Sequence, residues 1–441
     1  MSVVALRGGR IIDPANGIDT LGDLVINAGV VAAVAPAVHV HADIEIDVAG
    51  LMVTPGWIDA HVHLRDPGQI HKEDLESGAK AALAGGFVQM CCMPNTIPAL
   101  DTPERVAEVV RRSISTNIVI RPIGAISIGR HGTQLAPLRD MAAAGAIGFS
   151  DDGDSTKSPK VMREALLLSR ELNLPIMVHC EDPELAAGGS LHRGDVSAEL
   201  GDPGVPAWAE ESYIERDIAL AEETGGWLHV LHVSTARGAE MVRAAKARGV
   251  HVTAEVMPHH LLLTDEWVAG RRRYAGEAES LDELGRIDTN AKVNPPLRPA
   301  ADALALIQAV RDGVFDFIAT DHAPHSDAEK PPALAEAAFG MSGLELAVPT
   351  LARLVQRGDL TWPQVVDLFT RRPAQVLGLG GGTLSVGAAA DVTVVDLQRE
   401  WVVSPQTIQS RSKNTPMLGL TVRGKAVLTM VAGEVRHNEL S

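Results

Sequence analysis

Cysteine is scarce in this chain. Its 441 residues include three, Cys91, Cys92 and Cys180, and two of them are adjacent. An odd count with neighbouring members makes no disulfide framework and fits a reducing compartment. Long apolar runs are missing too, and no stretch reaches the length a bilayer needs. The opening residues, Met1-Ser2-Val3-Val4-Ala5-Leu6-Arg7, lack the basic segment and apolar core of a signal peptide. A cytoplasmic protein with no membrane association is expected. Positive charge is in deficit: the formal charge is −17. Binding to phosphate backbones needs a basic surface, so no nucleic-acid partner is expected. Internal repeats and low-complexity linkers are absent. Gly378-Leu379-Gly380-Gly381-Gly382 is not followed by Lys-Ser or Lys-Thr, which makes it a loop rather than a phosphate cradle.

What is present describes a globular protein, with 46% hydrophobic and 22% charged residues. The length suits a large barrel with a smaller companion. Residues 1–54 are short β-like runs broken by Gly8-Gly9, Asn16-Gly17, Ala28-Gly29 and Ala49-Gly50. From residue 55 apolar runs alternate with amphipathic helical segments. The runs are 52–63, 87–94, 118–125, 146–151, 175–180, 227–233, 250–257 and 314–320. Helical stretches include 103–115, 158–172, 210–224, 235–248 and 300–312, with Thr102, Ser158 and Ser234 as candidate caps. Eight strand–helix units predict an α/β fold, a parallel (β/α)8 TIM-type barrel, with an open doubly wound sheet as the alternative. Residues 341–379 are helical, and 383–397 and 419–436 return to β character. The expected division is a small β-sandwich built from both chain ends, 1–54 plus 383–441, and a catalytic barrel of 55–382. The segment 270–290, with Arg271-Arg272-Arg273, reads as an exposed loop.

Active residues of such a barrel sit at the C-terminal ends of its strands. His61 and His63 end the first run, two apart and therefore on one face. Asn95 ends the second, Asp152 the fourth, His179 the fifth, His232 the sixth and Asp321 the eighth. His61, His63, Asp152, His179, His232 and Asp321 together suit two divalent metals. Asp152 is the best-placed carboxylate to bridge them. Asp321 would take a proton from the attacking water and pass it to a leaving nitrogen. Arg65, Asn95, Asn294 and His325 have no metal to bind at that mouth. Arg65 suits a carboxylate by a bidentate fork, although an ion pair with Asp66 is its bland alternative. The expected substrate is a small anionic amide. His229, His259 and His260 stand outside this set, the last two as groups behind the metal ligands.

The motifs Asp59-Ala60-His61-Val62-His63-Leu64-Arg65-Asp66-Pro67-Gly68, Met93-Pro94-Asn95-Thr96, Phe149-Ser150-Asp151-Asp152-Gly153, Asn294-Pro295-Pro296-Leu297-Arg298 and Asp321-His322-Ala323-Pro324-His325 resemble the long-chain bacterial dihydroorotase family of the amidohydrolase superfamily. The resemblance covers nearly the whole chain. It implies a zinc-dependent cyclic amidohydrolase that reversibly closes N-carbamoyl-L-aspartate to dihydroorotate and water in pyrimidine synthesis. It implies two Zn2+ per subunit, or a single one: His61 and His63 with Asp321 on the first, His179 and His232 on the second. Asp152 would bridge where many relatives use a carboxylated lysine. Lys157 lies past the turn and is not taken for that role. Arg65, Asn95 and His325, beside His63, would hold the substrate carboxylate. Asn294 and the Phe339-Gly340 backbone would contact the ring, under a mobile flap of residues 322–340. Implied partners are the small-molecule substrate, further copies in a homo-oligomer, and aspartate transcarbamoylase. A hydantoinase or allantoinase, and a silent barrel that scaffolds aspartate transcarbamoylase, are the alternatives.

Overall fold

A computed structural model describes residues 3–440. The eight apolar runs form eight parallel strands: Trp57–Val62, Phe87–Cys92, Val119–Pro122, Phe149–Ser150, Ile176–Val178, Leu228–Val230, Val252–Val256 and Phe317–Ile318. The first three pair in sequence, and so do the last five. Single bridges Gly124↔Phe149 and Val62↔His322 join the two sets, so the barrel closes. Strands four and eight are two residues long because the chain leaves the ladder before Asp152 and Asp321. Ile58, Ala60, Cys91, Met93, Ile123, Met177, Leu231, Met257, Phe317 and Ala319 fill the lumen. The filled lumen leaves the mouth as the place for a ligand.

Two boundaries differ from the sequence reading. The run 52–63 is two strands. Met52–Pro55 belongs to another sheet and Trp57–Val62 to the barrel. Gly56 is the joint, since a Cβ there would lie 2.5 Å from Val88 Cγ2. The helix Ala236–Ala247 is capped by Thr235, which accepts from Gly238 N, and not by Ser234. The Ser234 hydroxyl donates to Glu210 instead. The segment 270–290 is also less exposed than expected. It holds a short hairpin, Arg271–Arg272 with Asp282–Glu283, and Arg272 and Tyr274 are buried.

Strands from both ends of the chain share one eight-stranded sheet. Its order is Glu434–Asn438, Thr421–Val431, Val392–Val402, Met52–Pro55, Val3–Asp13, Ile18–Asn27 and Val30–Ala35, with Ile44–Asp47 also paired to Val3–Asp13. This sheet has its own core, which includes Leu6, Ile11, Leu24, Ile26, Val53, Val392, Val394 and Met430. No helix among the described residues is long and apolar enough to cross a membrane.

Candidate metal centre

The structure brings all six candidate ligands to one mouth. His61 and His63 come from the end of the first strand, where the ladder slips between Asp59 and Val62. Such a bulge re-aims side chains. His61 Nδ1 lies 2.6 Å from Glu255 Oε1 and His63 Nδ1 lies 2.8 Å from Asn95 Oδ1. Both Nδ1 protons are therefore committed outward, which leaves each Nε2 lone pair facing the mouth.

Those lone pairs face carboxylates. His63 Nε2 is 2.8 Å from Asp321 Oδ1 and 3.4 Å from Asp152 Oδ2. His61 Nε2 is 3.5 Å from Asp321 Oδ1 and 3.7 Å from Asp152 Oδ2, and is buried without a hydrogen-bond partner. On the other side, His179 Nδ1 and His232 Nε2 are 3.0 Å apart. They lie 3.6 Å and 3.3 Å from Asp152 Oδ1. Four donors about 2.0–2.1 Å from a tetrahedral ion stand about 3.3 Å apart. Most of these spacings are long for hydrogen bonds but close to that edge. Asp152 turns Oδ2 to one histidine pair and Oδ1 to the other, the disposition of a bridging carboxylate. His61, His63 and Asp152 form one convergent set and Asp152, His179 and His232 a second, all buried.

The electrostatics agree with this donor set. Burial would raise the Asp152 carboxyl, but His61, His179 and His232 take it well below the usual carboxylate range. Burial likewise opposes charge on His61, yet Glu255, Asp321 and Asp152 raise it well above an ordinary imidazole. Burial lowers His63, but carboxylates that draw a proton onto His61 this strongly also favour a divalent cation there.

Behind His61 a second layer was not foreseen. Glu255 lies inside the seventh strand, where a carboxylate reads as a solvent-facing residue. In the structure it is fully buried, with Oε2 3.4 Å from His229 Nε2. His229 Nδ1 lies 2.8 Å from Thr253 Oγ1. A carboxylate behind a ligating imidazole fixes its tautomer and raises its basicity. Glu255→Gln is expected to weaken metal binding by about 10–100-fold. Competition with a chelator measures it, and unchanged affinity would detach Glu255 from the centre.

A cavity of about 290 Å³ opens on His63, Asp152, His179 and Asp321, and Arg65, Asn95, Asn294, Phe339, Gly340 and His325 line its wall. Arg65 is buried and takes part in no ion pair among the described residues. Asp66 is bound by Arg112 through two 2.6 Å contacts, so the pairing of Arg65 with Asp66 is excluded. Arg65 Nε donates to Pro324 O at 3.2 Å and Nη2 to His325 Nε2 at 3.1 Å. Burial pulls Arg65 down to about 10, which leaves it charged. Burial and the adjacent Arg65 push His325 down to about 2, so it is neutral. Asn294 sets one amide atom 3.3 Å from His179 Nε2, and its other is buried without a partner at the wall. Gly340 is more committed than the sequence suggests. Its N–H donates to Lys292 O at 2.9 Å and its carbonyl accepts from Asn414 Nδ2 at 3.1 Å.

The segment 322–340 is tied down by Lys330 Nζ, which donates to Thr289 O, Lys292 O and Ala338 O. His259 and His260 lie in the short helix Pro258–Leu262, and His260 Nε2 lies 3.0 Å from Pro295 O. Lys157 is exposed. Arg65, Arg130, His232 and Asp321 all take positive φ, among eight non-glycine residues that do so among the described residues. Such strain gathers where a site overrides backbone preference.

Residues 52–436 match the family model described as Amidohydrolase family. A dihydroorotase of Anaeromyxobacter dehalogenans is 44% identical over 439 residues, 99% of this chain and 98% of the relative. A dihydroorotase of Geobacter sp. is 43% identical over 432 residues, 98% of each. Among solved structures, the L-hydantoinase (dihydropyrimidinase) from Arthrobacter aurescens superposes with a TM-score of 0.86 at 26% identity, covering 100% of this chain and 97% of that one.

Proposed function

Because this chain belongs to the amidohydrolase family and is a hydrolase of the dihydroorotase type, we propose that it closes N-carbamoyl-L-aspartate to (S)-dihydroorotate and water, reversibly, with two zinc ions at the barrel mouth. One observation carries the choice of substrate: Arg65 is a buried guanidinium that forms no ion pair among the described residues, on the wall of the cavity. A buried cation demands an anion. A substrate carboxylate beside the ring answers that demand, and a plain hydantoin ring does not.

His61, His63 and Asp321 would hold one ion, His179 and His232 the other, and Asp152 both. Imidazole and carboxylate donors in this number suit zinc. When bound, such ions polarise an amide carbonyl and lower the pKa of water. The chain's own residues do the rest. Arg65 Nη1, Asn95 Nδ2 and neutral His325 Nδ1 offer donors to the carboxylate, and the free amide atom of Asn294 meets the ring. In ring opening Asp321 takes the proton of the attacking water and delivers it to the departing ring nitrogen. In ring closure the same carboxyl returns the proton to the leaving water.

The deciding experiment pairs metal analysis of the purified protein with turnover of dihydroorotate and of hydantoin. Bound zinc with turnover of dihydroorotate is expected. Hydantoin turnover without dihydroorotate turnover would overturn the assignment in favour of a hydantoinase.

A further inference from the structure

The cavity wall carries a second guanidinium that the reaction above does not use. Arg130 follows the third barrel strand, in Ser127-Ile128-Gly129-Arg130-His131-Gly132, and lines the same cavity as Arg65. Its loop is firmly held. Gly129 N donates to Asp101 Oδ2 at 2.7 Å, and Gly132 N donates to Ser127 Oγ at 2.7 Å. Ser127 Oγ in turn donates to Asp151 Oδ2 at 2.6 Å, one residue before Asp152. The loop is thus fixed to the strand end that supplies the bridging carboxylate.

The Arg130 side chain is 15% exposed, and its Nε is buried without a partner. Nη2 donates to Asp154 Oδ2 at 2.6 Å, but Asp154 is 52% exposed. An ion pair with a solvated partner contributes little, and its carboxylate is easily replaced by another. The neighbouring geometry points the same way. A Cβ built on Gly153 would lie 3.3 Å from Asn95 Nδ2 and 3.6 Å from Arg130 Nη2. Gly153 also takes φ +80°, where a side chain is disfavoured. The space left open by this glycine is therefore flanked by an amide donor and a guanidinium donor.

We propose that Arg130 is a further donor to the substrate carboxylate, beside Arg65, Asn95 and His325, closing over the Cβ-less face of Gly153, with Asp154 as the stand-in anion that the substrate displaces. This rests on the reading that the substrate carries a carboxylate. A purely structural ion pair predicts the same loss when either partner is removed. A binding role predicts opposite behaviour, because removing Asp154 frees Arg130 for the ligand.

The test is steady-state turnover of dihydroorotate by the wild-type protein, Arg130→Gln and Asp154→Asn, with circular dichroism melting as the check on folding. Arg130→Gln is expected to raise KM by about 10–100-fold, the worth of a charge-assisted hydrogen bond, and to change kcat little. Asp154→Asn is expected to leave KM unchanged or lower it. An unchanged KM in Arg130→Gln, or an equal rise in both variants, would overturn the role of Arg130. Absence of dihydroorotate turnover by the wild-type protein would overturn the substrate assignment itself, and Arg130's role with it.

Discussion

Replacing Asp321 by Asn is expected to lower turnover by about 10²–10⁴-fold, the usual worth of a positioned acid–base group, with most of the metal retained. The amide keeps an oxygen where Oδ1 now stands, 2.8 Å from His63 Nε2 and 3.5 Å from His61 Nε2. The other five ligands are untouched. What disappears is the capacity to accept and return a proton, which the reaction needs in both directions. The backbone is unusual here, at φ +49°, and Asn tolerates the left-handed region as well as Asp does. Fold and ligand geometry are therefore preserved in the variant. Metal stoichiometry and kcat for dihydroorotate are measured on one preparation. Full metal with near-wild-type kcat would remove Asp321 from proton transfer.

Arg65→Lys is expected to cost about 2–5 kcal/mol on dihydroorotate, or about 30-fold to several thousand-fold in kcat/KM. Lysine keeps the charge but not the planar fork. The guanidinium spends Nε on Pro324 O and Nη2 on His325 Nε2, which leaves Nη1 uncommitted on a residue that lines the cavity. A single ammonium cannot hold the wall and the ligand together. Dihydrouracil, the same ring without the carboxylate, should lose far less. Equal losses on the two rings would sink the carboxylate role and leave Arg65 a structural residue.

The barrel was legible because each strand is an apolar run between helices with recognisable caps, such as Thr102 and Ser158. The chemistry-bearing positions stood out for a related reason. His61, His179, His232 and Asp321 each close an apolar run, where a polar side chain has no packing purpose. Other features had no such signal. Glu255 sits inside its strand, and only the three-dimensional closure puts His61 and His229 beside it. Arg130 lies in a loop whose path depends on Asp101 and Asp151, 28 and 24 residues from the groups they accept from. The split at Gly56 was hidden because apolar residues flank it on both sides, and the crowding by Val88 that requires glycine is a tertiary contact. The hairpin in 270–290 was hidden by its charge, since burial of Arg272 depends on Leu418 O, which accepts from its Nη2 at 3.0 Å.

The sheet shared by the two chain ends has a consequence for the order in which the protein is made. Val3–Asp13 and Met52–Pro55 leave the ribosome early, whereas Val392–Val402, which pairs with Met52–Pro55, follows the whole barrel. Until then Met52–Pro55 is an edge, and an unsatisfied edge recruits other chains. The barrel cannot shield it, because the next strand begins only two residues later, beyond Gly56. The edge closes only when Val392–Val402 pairs with it, a long-range contact of the kind that forms slowly.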